Sequence, residues 1–583
     1  MFRNLYQLKK YFVRYKNSFI WGIIFILLSN IGQVYIPQLI KQGINAIERN
    51  SLSEVVLKFV LLIIITSLLS GVFRFLIRQT IIVTSWKIAN DLRYDFWNHL
   101  QKLSLRFYQN NSTGNIMSHA TNDINAVRSF VGPSVMYTID NGTKFLFVFF
   151  IMLSMNPLLT FYAILPSPFM TLIVYYVMSR VHSKFTKIQE KFADLTARAQ
   201  ENFSGIRVIK SYSREEYETE NYKTESKEYL KRKMDLVKLQ AMFIPVFLLI
   251  AGLSFIIVLW AGGTQMINGN FTIGELVAFY AYLGMLIWPM ISFGWVATMI
   301  QQAEASMKRL LKIFNEPYEI QDSINTDYSV KEINGEIEFK NVSFSYDENL
   351  PLILNGINLK IEKGNTVAFI GKTGTGKTSL VNLISRFYDV TDGEVLIDGV
   401  NVKRIPLQTL RKNIGMVSQE NFLFSDTLAN NVVFGLNNAE INLIKNAAEI
   451  VQLSKDVEFF PKGYETILGE RGITLSGGQK QRSTLARAVA IDPKILILDD
   501  SFSAVDTNTE EEILRRLKEF MRNRTSIIIS HRISTVKDAD KIFVLHEGRI
   551  AEEGTHEELI EQNGIYADLN KRQLLEQELS VMD

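Results

Sequence analysis

The sequence has no cysteine among its 583 residues, which excludes disulfides, a thiolate nucleophile and any zinc or iron–sulfur site ligated by cysteine. It also lacks a charge excess. The 63 Lys and Arg against 60 Asp and Glu leave a formal charge of +3, too near balance for a nucleic-acid partner. Arg3, Lys9, Lys10, Arg14 and Lys16 precede the first apolar run, but no small-residue cleavage site follows it. That run therefore reads as an uncleaved first span and not a signal peptide. Charge is missing altogether from stretches of the first 300 positions such as 19–28 and 145–153, so this half cannot fold as a soluble globule. Short alternating strands, the mark of an antiparallel β-barrel, are absent as well.

What is present in that half is a set of helix-length apolar segments. A bilayer core of about 30 Å takes about 20 apolar residues at about 1.5 Å each, and six segments qualify: 18–40, 55–80, 130–154, 158–180, 241–263 and 275–298. The expected fold is a polytopic α-helical membrane domain of six transmembrane helices over residues 1–315, then a linker over 316–335. A soluble α/β domain over 336–575 and a tail over 576–583 complete it. Lys and Arg crowd the loops 86–129 and 180–240, while the short links around Asn156 and Asn268 carry none. This asymmetry predicts that both termini and both long loops are cytoplasmic. The long loops have helical periodicity and few Gly or Pro. Continuing the membrane helices, they would project on the order of 35 Å and reverse near 110–114 and 212–216, where they would touch something soluble.

Polar groups inside the apolar half leave two readings each. Asp140 and Lys144 share a helix face at four-residue spacing, as do Arg74 and Arg78, and could line a substrate cavity. Equally, the arginines could snorkel to the interface and Asp140 and Lys144 could be a packing pair. Trp260, Met285, Trp288 and Trp295 could line an adaptable apolar pocket or simply face lipid and packing neighbours.

In the second half, a strand-like run, Thr366–Ile370, leads into Gly371, Lys372, Thr373, Gly374, Thr375, Gly376, Lys377 and Thr378, and then into a helix-like run from Ser379. This is the P-loop in its strand, loop, helix setting. Its glycines let backbone N–H groups converge on a polyphosphate, Lys377 supplies a point charge for the β and γ phosphates, and the Thr378 hydroxyl can ligate Mg2+. A second apolar strand, 495–498, ends in Asp499 and Asp500. A carboxylate at a buried strand tip is costly unless it faces a cation or a proton, which makes Asp499 the Mg2+ candidate.

Between these elements stands Leu475-Ser476-Gly477-Gly478-Gln479. With the P-loop and Asp499, it makes the chain resemble the ATP-binding cassette transporters, and six spans with two long hairpins ahead of one cassette resemble an exporter half-transporter of the type I fold. The resemblance implies ATP and Mg2+ as ligands. It makes Ser476, Gly477, Gly478 and Gln479 the signature that completes another chain's ATP site, Tyr346 the aromatic that stacks on adenine, and Ser379 part of the phosphate-binding helix start. Gln419 corresponds to the glutamine that touches Mg2+ and water and links to the hairpins, and His531 to the switch histidine at the γ-phosphate. Ser503, Ala504, Val505 and Asp506 resemble the loop that crosses to the opposing cassette. One copy of each motif implies a dimer.

The chain departs from the family where glutamate normally orients the attacking water. Asp500 is shorter by one methylene, a withdrawal of on the order of 1.5 Å where displacements of about 1 Å can cost roughly a hundredfold. The expectation is slow hydrolysis at this chain's own P-loop, as in one subunit of the asymmetric heterodimeric bacterial multidrug exporters of the MdlA type, paired with a non-identical chain that carries glutamate. The implied activity is ATP-driven export of hydrophobic or amphipathic small molecules across the bacterial cytoplasmic (inner) membrane. A homodimer that tolerates aspartate, a lipid or lipopeptide flippase, and a non-transporting ATP-gated channel or regulator are the rivals. No solute-binding domain and no cysteine-protease-like extension stand in the sequence, so import and peptide processing are not expected.

Overall fold

The structure is a computed structural model that describes residues 3–49, 52–347, 349–437, 440–504 and 507–582. Val505 and Asp506, part of the expected crossing loop, lie outside the described residues. The chain divides into two compact units, one of Met1–Trp97 with Ile116–Asn315 and the other of Asn98–Asn115 with Glu316–Asp583.

Among its described residues the first unit has helices and no strand. Among the described residues of the chain, five helical stretches are long and apolar enough to cross a membrane: Lys16–Glu48, Ser53–Leu100, Thr113–Met155, Leu248–Ile267 and Ile273–Phe314. The fourth expected span is divided into Pro157–Ile164 and Ser167–Ser204. The division falls at Leu165 and Pro166, where proline has no N–H to continue the helical ladder. Spans and polar extensions are continuous, as the periodicity predicts, and Glu215–Ile267 runs as a single helix of 53 residues. The links between spans are short because caps end the helices sharply. Asn156 accepts the Leu159 N–H, and Thr272 forms a capping box with Glu275.

Polar contacts inside this bundle are specific. Tyr282 donates to the Val34 carbonyl at 2.8 Å, and Asn30 donates to the Asp140 carbonyl at 3.0 Å and to Thr143 at 2.7 Å. Lys144 is buried with its ammonium 3.7 Å from Asp140 on the same helix. Arg74 is exposed and donates to Gln33 at 3.0 Å. Trp260, Trp288 and Trp295 are exposed, Trp295 lying against Tyr137, whereas Met285 packs on the bundle core.

Both hairpins reverse earlier than the expected 110–114 and 212–216. The first turns around a short helix, Leu105–Asn110, and the second around Ile206–Ser211. The polar residues at 111–112 and 212–214 therefore end these tip helices. Asn111 is extended, and Ser213 is left-handed with φ 51°.

The second unit is α/β. Its strands are β1 (Ile337–Phe344), β2 (Leu354–Ile361), β3 (Thr366–Ile370), β4 (Asp392–Ile397), β5 (Val400–Asn401), β6 (Ile414–Val417), β7 (Ile495–Asp499), β8 (Thr525–Ile529), β9 (Lys541–His546) and β10 (Arg549–Gly554). An antiparallel sheet in the order β2-β1-β4-β5 packs beside a six-stranded sheet in the order β10-β9-β3-β8-β7-β6. In the larger sheet β9, β3, β8, β7 and β6 are parallel. Its central strands read as near-continuous apolar runs because helices cover one face and the small sheet the other.

Candidate nucleotide site

Ligands of open α/β sheets bind beyond the carboxyl ends of parallel strands. Strand order places four predicted residues or motifs at consecutive ends: the P-loop after β3, His531 after β8, Asp499 and Asp500 at β7, and Gln419 after β6. Residues up to 160 positions apart in the sequence are thus brought to one edge.

The P-loop needs its glycines. Gly371 has φ 152°, and a Cβ there would stand 2.3 Å from the Leu545 carbonyl oxygen. Gly376 precedes the helix Lys377–Ile384 with φ 101°, and a Cβ would meet Leu354 at 2.7 Å. Lys377 is buried, and its ammonium donates to the carbonyls of Gly371 and Lys372, each at 2.8 Å. Burial lowers its pKa, opposed by the charges of Asp499 and Asp500. The lysine is therefore stored over its own loop, dry and poised for a stronger anion. The helix begins at Lys377, two residues before the predicted Ser379, and stops at Ile384. There Arg386 turns left-handed with φ 49°.

Asp499 is 2% exposed, and its Oδ2 has no hydrogen-bond partner among the described residues. Burial raises its pKa and the Asp500 charge adds to this, while a bond from the Thr378 hydroxyl and the Lys377 charge oppose it. Asp500 is half-buried and left-handed with φ 49°, its N–H donating to the Ile529 carbonyl at 2.9 Å. His531 is exposed. Partial desolvation and the nearby Lys377 charge hold its imidazole below the ordinary value, with Asp500 opposing.

Tyr346 is half-buried, edge-on to Phe344 and Tyr388, and its hydroxyl meets Ser379 at 2.8 Å. Tyr388, which belongs to no sequence motif, donates to Gln109 of the hairpin-tip helix at 2.8 Å. That tip is further held by Ser104, whose hydroxyl donates to Glu319 at 2.7 Å, and by Arg106, paired with Glu319 at 3.2 Å. No motif marks these contacts.

The signature lies apart from the P-loop, on the helical side of the unit. Ser476 caps the helix Gly477–Ala490 in a capping box with Gln479, and Gln479 also donates to Asp456 at 3.0 Å. Ser476 and Gly477 are exposed at this helix start. One turn into the helix, the buried Gln481 donates to Ser503 at 3.0 Å and accepts from the Ala504 N–H at 2.9 Å. It so ties the signature helix to the loop that follows Asp500.

Residues 19–290 match the ABC transporter transmembrane region and residues 354–503 the ABC transporter domain. A Bacillus subtilis protein, the uncharacterized ABC transporter ATP-binding protein YknU, is 35% identical over 96% of this chain and 96% of its own length. The chain belongs to the ABC transporter family. Among other relatives, the multidrug resistance-like ATP-binding protein MdlA of Escherichia coli is 30% identical over 98% of this chain and 96% of its own. The solved structure of a bacterial Atm1-family ABC exporter with ATP bound superposes with a TM-score of 0.80 at 27% identity, over 96% of this chain and 98% of that one. This ABC transporter therefore has the type I exporter fold, an N-terminal transmembrane helical domain followed by a nucleotide-binding domain. It is an integral membrane ATPase that couples ATP to export.

Proposed function

We propose that this chain is one half of a two-chain exporter of hydrophobic or amphipathic compounds, with a slow ATP site on its own P-loop. The observation that carries the reading is Asp500. Its main chain is fixed by the bond to Ile529 in the neighbouring strand, so a shift of the backbone does not make up for the methylene it lacks relative to glutamate. General-base contributions of about 10² to 10⁴ are then at stake at this site. The multidrug description of MdlA-type relatives agrees with the substrate class.

In this reading Tyr346 stacks on adenine, and its bond to Ser379 fixes the ring against the phosphate-binding helix. Lys377 leaves its loop carbonyls for the β and γ phosphates, exchanging neutral acceptors for charged ones. The donor set fits Mg2+. The Asp499 Oδ2 is buried without a partner beside the Thr378 hydroxyl, and no cluster of three His, Asp or Glu side chains competes among the described residues. Thr378, Asp499 and Gln419 would hold the ion, which neutralises phosphate charge when bound. His531 contacts the γ-phosphate, and Asp500 orients water weakly. Ser476, Gly477, Gly478 and Gln479 present a helix start to the triphosphate of a second half-transporter, a non-identical chain with glutamate. The nucleotide-binding domain and both termini face the cytoplasm of a bacterium, and the helices lie in its inner membrane.

Asp500→Glu in the full-length protein is expected to raise ATP turnover about tenfold or more, and no gain removes the reach argument. Co-purification from the native cells tests the partner: only self-paired chains with brisk turnover would remove the two-chain reading. ATP-dependent accumulation of ethidium in inside-out vesicles tests the cargo, against movement of a fluorescent lipid between leaflets.

A further inference from the structure

The helix Ile565–Met582 is rooted in the cassette. Glu552 accepts the N–H groups of Ile565 and Tyr566, the Tyr566 ring is fully buried, and its hydroxyl meets His556 at 2.7 Å. Positions three and seven beyond Tyr566 lie on the same helix face. Leu569 occupies the first and packs on the core. The second is Gln573, a polar residue on an inward stripe, and it is half-buried.

Its amide bridges the switch segment. Oε1 accepts the Ile533 N–H at 2.9 Å, and Nε2 donates to the carbonyl of His531 at 2.5 Å. One planar side chain thus fixes backbone groups two residues apart, on the histidine itself and just beyond it. Glu510 is 3% exposed and also binds this segment, at Arg532 and Thr535. The Glu510 contacts hold side chains, whereas Gln573 alone among the described residues holds the His531 carbonyl through a side-chain donor.

We propose that Gln573 is a positioning residue for ATP hydrolysis, acting through His531, so that the C-terminal helix sets the aim of the switch histidine. This rests on the reading of His531 as the γ-phosphate contact. Losing the bridge removes the side-chain hold on the His531 carbonyl, and the reaction is governed by positioning. The conservative Gln573→Glu variant keeps the acceptor for Ile533 and loses the donor to His531, so it separates the two bonds.

The test is single-turnover ATP hydrolysis at this chain's P-loop in the full-length protein in nanodiscs, with the P-loop lysine of any non-identical partner substituted. His531→Ala, Gln573→Ala, Gln573→Glu and the double alanine variant are compared. Gln573→Ala is expected to lower the rate about tenfold with the ATP concentration for half-maximal rate within about twofold. Gln573→Glu should fall nearly as far, and the double variant should be no slower than His531→Ala, because residues acting as one unit are not additive. Unchanged thermal midpoint and ATP affinity in Gln573→Ala separate positioning from unfolding. If His531→Ala hydrolyses ATP normally, the reading of His531 fails and takes the inference with it. If His531→Ala is impaired while Gln573→Ala is not, or if the two losses multiply, the inference alone fails.

Discussion

A buried carboxylate with one oxygen lacking a donor costs about 1–3 kcal/mol, and Asp499 is such a group at the end of an otherwise apolar strand. Asp499→Asn is expected to stabilise the nucleotide-free protein by about 1 kcal/mol, since sites kept for function are commonly short of their stability optimum, and to abolish ATP turnover. Thermal unfolding with and without Mg2+ and ATP reads both effects. An unchanged or lower midpoint would contradict the assignment of an uncompensated charge. His531 behaves differently. Its imidazole titrates below the ordinary value because of desolvation and Lys377, so its contribution to folding is present above the ordinary value and is lost as pH falls through the lowered one. Acidification from about pH 7.5 to about 5.5 should therefore lower the midpoint more in the natural protein than in His531→Asn. Added ATP should shrink that difference, because the γ-phosphate offsets the Lys377 charge. At this scale the sequence was most informative where chemistry forces a residue type. The glycines of the P-loop, Lys377 and the acidic pair are legible from spacing alone. Gln481, Gln573 and Tyr388 are not, because they act on backbone or hydroxyl groups that strand order brings close, and no local pattern announces such contacts.

Elements were readable in proportion to their regularity. The strand before the P-loop spans Thr366–Ile370 as expected, and β7 extends one residue past the predicted end to include Asp499 itself. Long apolar helices were legible from length and composition. The reversals of the two hairpins were misplaced by several residues because their tips are short helices of ordinary composition, and Leu105–Asn110 has no breaker until Asn111. That tip helix carries a testable role. Tyr388→Phe keeps the aromatic packing on Phe344 and Tyr346 but removes the bond to Gln109, worth about 1 kcal/mol. Basal ATP turnover should stay within about twofold while stimulation by ethidium declines, as expected when a coupling free energy is weakened. Equal stimulation in both proteins would mean that the bond is only structural.

On the scale of the whole molecule, residues 98–115 are enclosed by the N-terminal helical unit in sequence and by the cassette in space. A soluble fragment beginning at Glu316 would be missing a piece of its own structure. Glu319 would lose Ser104 and Arg106, Tyr318 would lose His99, and Tyr388 would lose Gln109. Such a fragment is expected to be less stable than the cassette in the intact chain, and a synthetic peptide of residues 98–115 should raise its melting midpoint by mass action. A peptide with Gln109 and Arg106 replaced by alanine should do so less well. Failure of the natural peptide to bind would place the tip's affinity in the membrane anchorage of its ends. Through that borrowed segment, the engine cannot be cut from the gate without taking part of the gate along.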